Sequence, residues 1–561
     1  MARMRDMPDI WGSGQLLAFS GVDGHTDNDH PFVLHTGARP GELVVRLPGP
    51  GSVQFLDMPG LEFDLVLGDV ITGRSQLGEF RAVFVDHHTL AGEIPAGARM
   101  EVAGQEVAAE PLQVAAGMDM AVFAARDGSR WTLFATEEIT PVAEAPRKGL
   151  SAELDQAQEQ RVQWVLRCSE GSGLEGHDLR LLRKALSVMK VNVEAPCGRI
   201  KRRWTTPDRW PHRHMWLWDS AFHALGLAEV DPALGQDAVL AMLDQVQPEG
   251  LLPHMVPATA PPSEITQPPV LAWACRRLLE VTQDRDFAAE CLPPLVRYLD
   301  WMRENRDRNR NDLVEWHIEG APLCRCGESG LDNSPRFDAA TLLDAVDFSA
   351  LLAHDYECAA DLAAALGRTE TEATCREHSA RICAAVNDLL WSESHGLYLD
   401  RDFEGNLSGV KAVSSFFPLL AGIPDPARAA RMVASLRDPA QFATPMPIPS
   451  TSVDSGRYCK DMWRGPAWVN TNTIVLHGLR RCGFPREADA LRDATLTGVL
   501  TWYEREGCLF EYYDSLNITS PRDLDRKQRL ISGHGIAPIS DYHWTAALTV
   551  ALLLERSRDG S

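Results

Sequence analysis

From residue 155 onward, apolar residues recur at helical spacing in about a dozen segments, near 178–193, 219–230, 232–245, 267–282, 287–304, 340–366, 368–391, 409–421, 426–436, 466–482, 486–505 and 542–556. Helices with one apolar stripe must bury it against a neighbour. These segments pair as helical hairpins of roughly 50 to 60 residues, a period that predicts a stacked or closed array. Six such hairpins closed into a ring make an (α/α)6 barrel. A ring of this kind has a packed inner layer and a mouth where the loops meet, so the chemistry is expected on those loops.

The first 145 residues have a different texture. Short alternating runs such as "ELVVRL", "SVQFLDM", "FRAVFVD" and "WTLFATEE" are separated by Gly and Pro, the pattern of an antiparallel β-sandwich. The expected chain is mostly α: a β-sandwich domain over 1–145, a linker over 146–154 and a barrel over 155–561. Ser151 is the expected N-cap of the first barrel helix.

A net charge of −23, from 78 acidic and 55 basic residues, repels phosphate backbones and anionic lipid heads, so neither nucleic acid nor membrane is an expected partner. The basic stretch "GRIKRRW" at 198–204 reads as a solvated loop face. No apolar run approaches the roughly 18 residues of a membrane helix. The N-terminal "MARMRDMPDIWGSGQ" has no apolar core of a signal peptide, so a cytoplasmic location is expected. Twelve cysteines at irregular spacing predict free thiols, and the isolated Cys324 and Cys326 lack the second ligand pair of a structural zinc site. The Asp- and His-rich "FSGVDGHTDNDHPF" at 19–32 lacks a calcium-loop pattern and reads as a β connection.

The long interhelical loops hold Trp204, Trp210, Trp216, Trp218, Trp316, Trp463 and Trp468, and tryptophans beside carboxylates suit the apolar faces of sugar rings. Asp219 follows an aromatic pair at a helix start, where it reads as an N-cap whose second oxygen is also free to bind a hydroxyl. In "GLDNSPRFD" at 330–338, Pro335 forbids helix and drives Ser334 to extended backbone, making a rigid loop around Asp332. That loop is either a capped turn before a helix near Asp338 or a mount for an acid. Glu511 lies between Phe510 and the pair Tyr512 and Tyr513. Cleaving a glycosidic bond takes two carboxyl groups, and Asp332 and Glu511 are candidates.

These segments together resemble glycoside hydrolase family 63 and its bacterial relatives, the α-glucosidases and the mannosylglycerate and glucosylglycerate hydrolases. The resemblance rests on "WLWDSAFHALGL" at 216, "GLLPHMVP" at 250, "TQPPVLAWA" at 266, "ESGLDNSPRFD" at 328 and "MWRGPAWVNTN" at 462, then "FEYYDSLN" and "HWTAALTVALL", in that order. It spans about residues 155–557 and implies an (α/α)6 barrel that hydrolyses an α-glycosidic bond with inversion and no cofactor or metal. By the same resemblance Asp332 is the general acid and Glu511 the general base. Trp218, Asp219, Gln267, Glu328, Asn333, Arg336, Trp463, Arg464 and Trp544 are the implied sugar contacts.

One segment departs from the pattern. Relatives usually follow the base with Pro and a Thr-Gly-Glu turn, whereas here "DSLNITSPRDLDRKQRLISGHGIAPISDYHW" intervenes before Trp544. Its Arg522, Arg526, Lys527 and Arg529 either reach an anionic aglycone or form a solvated face. Two alternatives remain at this level. One is another (α/α)6 enzyme, trehalase-like or an epimerase using His214, His223, His254 or His534; the other is a sugar-binding protein without activity.

Overall fold

The computed structural model describes residues 12–26, 33–39, 41–47, 51–117, 120–136, 144–317, 324–339, 342–533 and 535–559. Two antiparallel sheets come first. One orders its strands Leu16–Ala18, Val33–Arg39, Glu42–Arg46, Ser52–Leu56, Arg99–Val102 and Gln105–Glu106. The other orders Leu112–Gly117, Met120–Asp127, Arg130–Thr136, Thr89–Glu93, Gly78–Asp86, Val70–Ser75 and Glu62–Val66. Alternation puts Leu43, Val45, Val53 and Phe55 of the first against Phe80, Ala82, Phe84 and Trp131 of the second, with the Phe55 and Trp131 rings 4.8 Å apart. This is the expected sandwich.

The helices are α1 (Glu144–Leu150), α2 (Leu154–Ser169), α3 (Gly176–Val191), α4 (Leu217–Leu227), α5 (Pro232–Leu243), α6 (Leu271–Thr282) and α7 (Arg285–Arg306). They continue with α8 (Val346–Ala365), α9 (Thr369–Leu389), α10 (Pro426–Arg437), α11 (Val469–Arg481), α12 (Pro485–Glu506), α13 (Arg529–Ser532) and α14 (His543–Asp559). Packing closes a ring: α4 touches α6, α6 touches α8, α8 touches a 3-10 segment at Val413–Leu419, that segment touches α11, α11 touches α14, and α14 returns to α4. Outside it, α3 lies on α14, α5 on α4 and α6, α7 on α6 and α8, α9 on α8, and α12 on α11 and α14. The inner helices are buried nearly all round, as α4 and α8 show, and the outer ones on one stripe only, as in α9. The expected (α/α)6 toroid is therefore present.

Local expectations differ at three places. The inner member expected as a helix over 409–421 is the 3-10 segment, which carries Pro418 inside it. The stretch expected as linker folds as α1 against the sandwich, with Pro146 in its first turn, where no donor is needed. Ser151 donates to the Arg147 carbonyl at the end of α1, and the residue before α2 is Glu153.

The seven-stranded sheet buries its second face on α2, through Leu65, Val70, Val83 and Ala91. Within the 19–32 stretch, Asp23 pairs with Lys190 of α3 and Arg161 of α2, and Thr26 Oγ1 accepts from the Ala195 amide at 2.8 Å. Residues 27–32 lie outside the described residues. The preceding segment reaches the barrel too, the Leu16 amide donating to Asp541 at 3.4 Å.

Candidate active site

The acid loop begins with a 3-10 turn, Gly327–Ser329, that ends on Gly330 at φ 71°. A Cβ at Gly330 would stand 2.6 Å from the Trp218 ring, so both the backbone and the close ring demand glycine here. The Asp332 carbonyl accepts from the Arg325 and Cys326 amides at 3.1 and 3.3 Å. Ser334 is extended, at φ −52° and ψ 141°, and caps a second 3-10 turn that Pro335 opens. Among the described residues the next α-helix is α8 at Val346, so Ser334 caps a 3-10 turn instead of the α-helix expected near Asp338. The Asp332 side chain is left 20% exposed.

Arg336 points away from that opening. Its guanidinium is buried between Asp400, at 2.7 Å from Nε and from Nη2, and Asp347, at 2.6 and 3.0 Å, and lies over the Trp316 ring at 4.5 Å. Burial opposes its charge, and the two carboxylates more than offset this and push its pKa up. Glu328 is also sealed off, accepting from Arg306 at 2.7 and 2.9 Å and from the Thr266 and His317 amides. Both residues were expected as sugar contacts. Here they hold the loop from behind.

Glu511 is buried. Its amide donates to the Ile539 carbonyl at 2.9 Å, and its Oε2 accepts from the Ile539 amide at 3.3 Å. Arg526 donates from Nε to Oε2 at 3.0 Å and from Nη2 to Oε1 at 3.2 Å. Behind Arg526, His212 Nε2 stands 3.4 Å from Nη2 while His212 Nδ1 meets Asp208 at 2.6 Å. The neighbouring tyrosines anchor backbone instead of covering the carboxylate: Tyr512 donates to the Asp525 carbonyl at 2.7 Å and Tyr513 accepts from the Phe510 amide at 3.1 Å.

The inserted segment connects the two acids. Next to Arg526, Lys527 sets its Nζ 2.6 Å from Asp332 Oδ2. Lys527 and Gln528 both have left-handed backbone, at φ 53° and 60°, and the Asp461 carboxylate accepts both of their amides at 2.6 and 3.1 Å. Burial works against the Lys527 charge, yet Asp332 and the other nearby groups leave its pKa raised. Arg522 is spent elsewhere, on Glu506 at 3.0 Å.

Beside these groups lies an aromatic stack. Trp463 lies flat on Trp468 at 3.6 Å, Trp218 is 5.4 Å from Trp544 and 6.3 Å from Trp463, and Tyr542 is 4.8 Å from Trp544. Gln267 Oε1 accepts from the Trp218 amide at 3.2 Å, and Asn333 Oδ1 from the Trp463 amide at 3.0 Å. Arg464 grips Asp338 at 2.7 and 2.8 Å and the Asn333 carbonyl at 3.1 Å. Asp219 is not an N-cap; it sits buried in the first turn of α4, with the Tyr542 hydroxyl at 3.4 Å. Burial first, then the like charges of Asp208 and Glu511, push its pKa well up. A cleft of about 640 Å³ adjoins the site, lined by Asn333, Asp461, Arg464 and Lys527, with Leu530 and Ile531 at its edge. Lys527 therefore stands between this cleft and Asp332. Of the other loop tryptophans, Trp204 is buried on the Ala195 carbonyl at 3.0 Å and Trp210 faces solvent.

Of the candidate acid–base histidines, His223 packs on His543 and His254 on Trp216. His223 and His543 stack at 3.6 Å in the interior, and burial pushes both down, His543 to about 3. Burial likewise takes His254 to about 4, and His534 lies outside the described residues. Among the described residues, one buried cluster has metal-ligand types, His354, Asp355 and Cys358 on α8. Its Asp355 already accepts from the α6 amides of Ala272 and Trp273 at 2.9 and 3.1 Å, a helix-capping role. None of the twelve cysteines is in a disulfide.

Residues overlooked in the sequence are the ones that hold others: Asp208, His212, Asp347, Asp400, Asp461 and Tyr542. Asp461 precedes the quoted "MWRGP" directly and Tyr542 precedes "HWTAAL", so adjacency to those motifs was the available signal.

A family model described as the mannosylglycerate hydrolase MGH1-like glycoside hydrolase domain matches residues 212–517, more than half of the chain. The mannosylglycerate hydrolase of Rubrobacter radiotolerans is 28% identical over 447 residues, 63% of this chain and 93% of that one. The glucosylglycerate hydrolase of Mycolicibacterium hassiacum is 31% identical over 160 residues, 23% of this chain and 34% of that one. Among solved structures, the GH63 mannosylglycerate hydrolase from Thermus thermophilus, in complex with Tris and D-glycerate, superposes with a TM-score of 0.55 at 26% identity. That match covers 66% of this chain and 99% of the other.

Proposed function

Because the chain belongs to the MGH1-like glycoside hydrolase family and is a glycoside hydrolase, we propose that it cleaves an α-glucosidic or α-mannosidic bond with inversion, Asp332 acting as acid and Glu511 as base. One observation carries the reading. The two carboxylates come from distant loops, yet adjacent residues of a single turn, Lys527 and Arg526, hold one each.

In this mechanism the bond from the anomeric carbon to the glycosidic oxygen breaks, and its electron pair stays on that oxygen, which takes the proton carried by Asp332. A water oxygen bonds the opposite face of the anomeric carbon and gives its proton to Glu511. The two roles suit the two settings. Asp332 keeps 20% of its side chain exposed behind Lys527, which lines the cleft, while Glu511 is buried and held at both oxygens by Arg526. The aromatic stack, with Gln267 and Asn333 fixing Trp218 and Trp463, is at most 3% exposed at each of its four indoles and supplies a rigid apolar wall beside the site. The names of the relatives direct attention to glycosides of glycerate as the first substrates to try.

The test is hydrolysis of α-glucosyl- and α-mannosylglycerate by the protein and its Asp332→Asn and Glu511→Gln variants, with the product anomer followed by NMR. Each variant is expected to lose about 10²- to 10⁴-fold in kcat. Full activity in either variant removes the assignment, and a first-formed α-anomer removes inversion.

A further inference from the structure

The proposed reaction leaves one contact unexplained. In this conformation Lys527 Nζ lies 2.6 Å from Asp332 Oδ2, one of the two carboxyl oxygens from which a proton can pass to a glycosidic oxygen. The turn beneath Lys527 is built in: Leu524 is fully buried, Tyr512 grips the Asp525 carbonyl at 2.7 Å, and Asp461 binds the Lys527 and Gln528 amides. The ammonium, on four methylenes, can swing while its backbone stays.

We propose that Lys527 is a specificity-determining residue that exchanges partners during the catalytic cycle, leaving Asp332 for an anionic group on the leaving portion of the substrate. The cations lining the cleft differ in whether they are free to do this. Arg464 is committed to Asp338, Lys460 to Asp514 at 2.8 Å, and Arg325 to the Phe337 and Asp338 carbonyls at 2.9 and 3.1 Å. Lys527 is different, because its partner is the group that turnover requires to be released. When Lys527 leaves Asp332, the ammonium is left largely buried, and such a charge is costly unless paired. A carboxylate on the leaving portion, lying in the cleft that Lys527 already lines, supplies that pair. Asp332 then takes a proton from solvent and passes it to the departing oxygen, while Lys527 keeps its protons throughout. A neutral leaving group supplies no such exchange, so Lys527 stays on Asp332 and competes with the substrate.

This inference rests on the assignment of Asp332, and the test separates the two. Full-length protein, Lys527→Met, Lys527→Arg and Asp332→Asn are titrated with D-glycerate by calorimetry. The first three are also assayed on an α-glycosyl-glycerate and the matching α-glycosyl-glycerol. Lys527→Met is expected to reduce the preference in kcat/KM for the anionic substrate by about ten- to a hundredfold, mostly through KM, and Lys527→Arg to keep most of it. Glycerate is expected to bind more weakly to Lys527→Met and more tightly to Asp332→Asn, because that variant frees the ammonium. An unchanged preference in Lys527→Met, or unchanged or weaker glycerate binding in Asp332→Asn, overturns the exchange. If the protein cleaves neither glycoside, the proposed function falls, and the calorimetry still decides whether Lys527 exchanges partners.

Discussion

His543 lies flat on His223 at 3.6 Å and donates from Nδ1 to the Thr206 carbonyl at 2.9 Å, a neutral ring in a sealed place. Burial depresses its pKa from 6.5 to about 3. Between those values the unfolded chain binds a proton that the folded chain refuses, so this residue lowers stability as pH falls below 6.5. His543→Gln is therefore expected to flatten the dependence of the urea midpoint on pH, by about 3 kcal/mol between pH 6.5 and 4. The same scale shows what a sequence conceals. Asp332 and Arg336 stand four positions apart in one irregular loop, and no helical or strand period says which side of such a loop each faces. The motif identified both as candidates for the sugar pocket, but the structure sends Arg336 inward to Asp347 and Asp400, neither of which the motif includes.

Among the elements, the helices were legible because their apolar stripes repeat, and the turn at Asp525–Gln528 was not, because it repeats nothing. Its charges were visible in the sequence, but their targets depend on two residues in left-handed backbone held by one carboxylate, Asp461. An asparagine offers only one acceptor oxygen in place of two. Asp461→Asn is thus expected to loosen the turn, costing about 1–3 kcal/mol in urea unfolding. It should lower kcat/KM on the glycerate glycoside by more than that loss of stability explains at room temperature. Unaltered kinetics would separate the turn from the reaction. The 3-10 segment that replaces one inner helix escaped notice for a related reason, since "VSSFFPL" has a helical apolar pattern and only Pro418 warns of tighter winding.

For the whole molecule, the sandwich and the toroid were each readable from period two and period 3.6, but not the way they join. That join depends on single buried groups: Lys190 of α3 meets Asp69 of the sandwich at 2.6 Å, together with Asp23 and the Arg161 carbonyl. Removing one member of such a cluster strands the others in the interior, so Lys190→Met is expected to cost about 3–5 kcal/mol, read as a lower midpoint of thermal unfolding. An unchanged midpoint would show that apolar contact alone fastens the two parts. The stack formed by Trp218, Trp463, Trp468 and Trp544 also makes the site optically distinctive. Four of the chain's fifteen indoles are close enough there to share excitation energy, and the indole nitrogens of Trp463 and Trp544 have no hydrogen-bond partner among the described residues. If a sugar binds beside this buried stack as proposed, the emission of its indoles is expected to change, which would follow ligand arrival in real time.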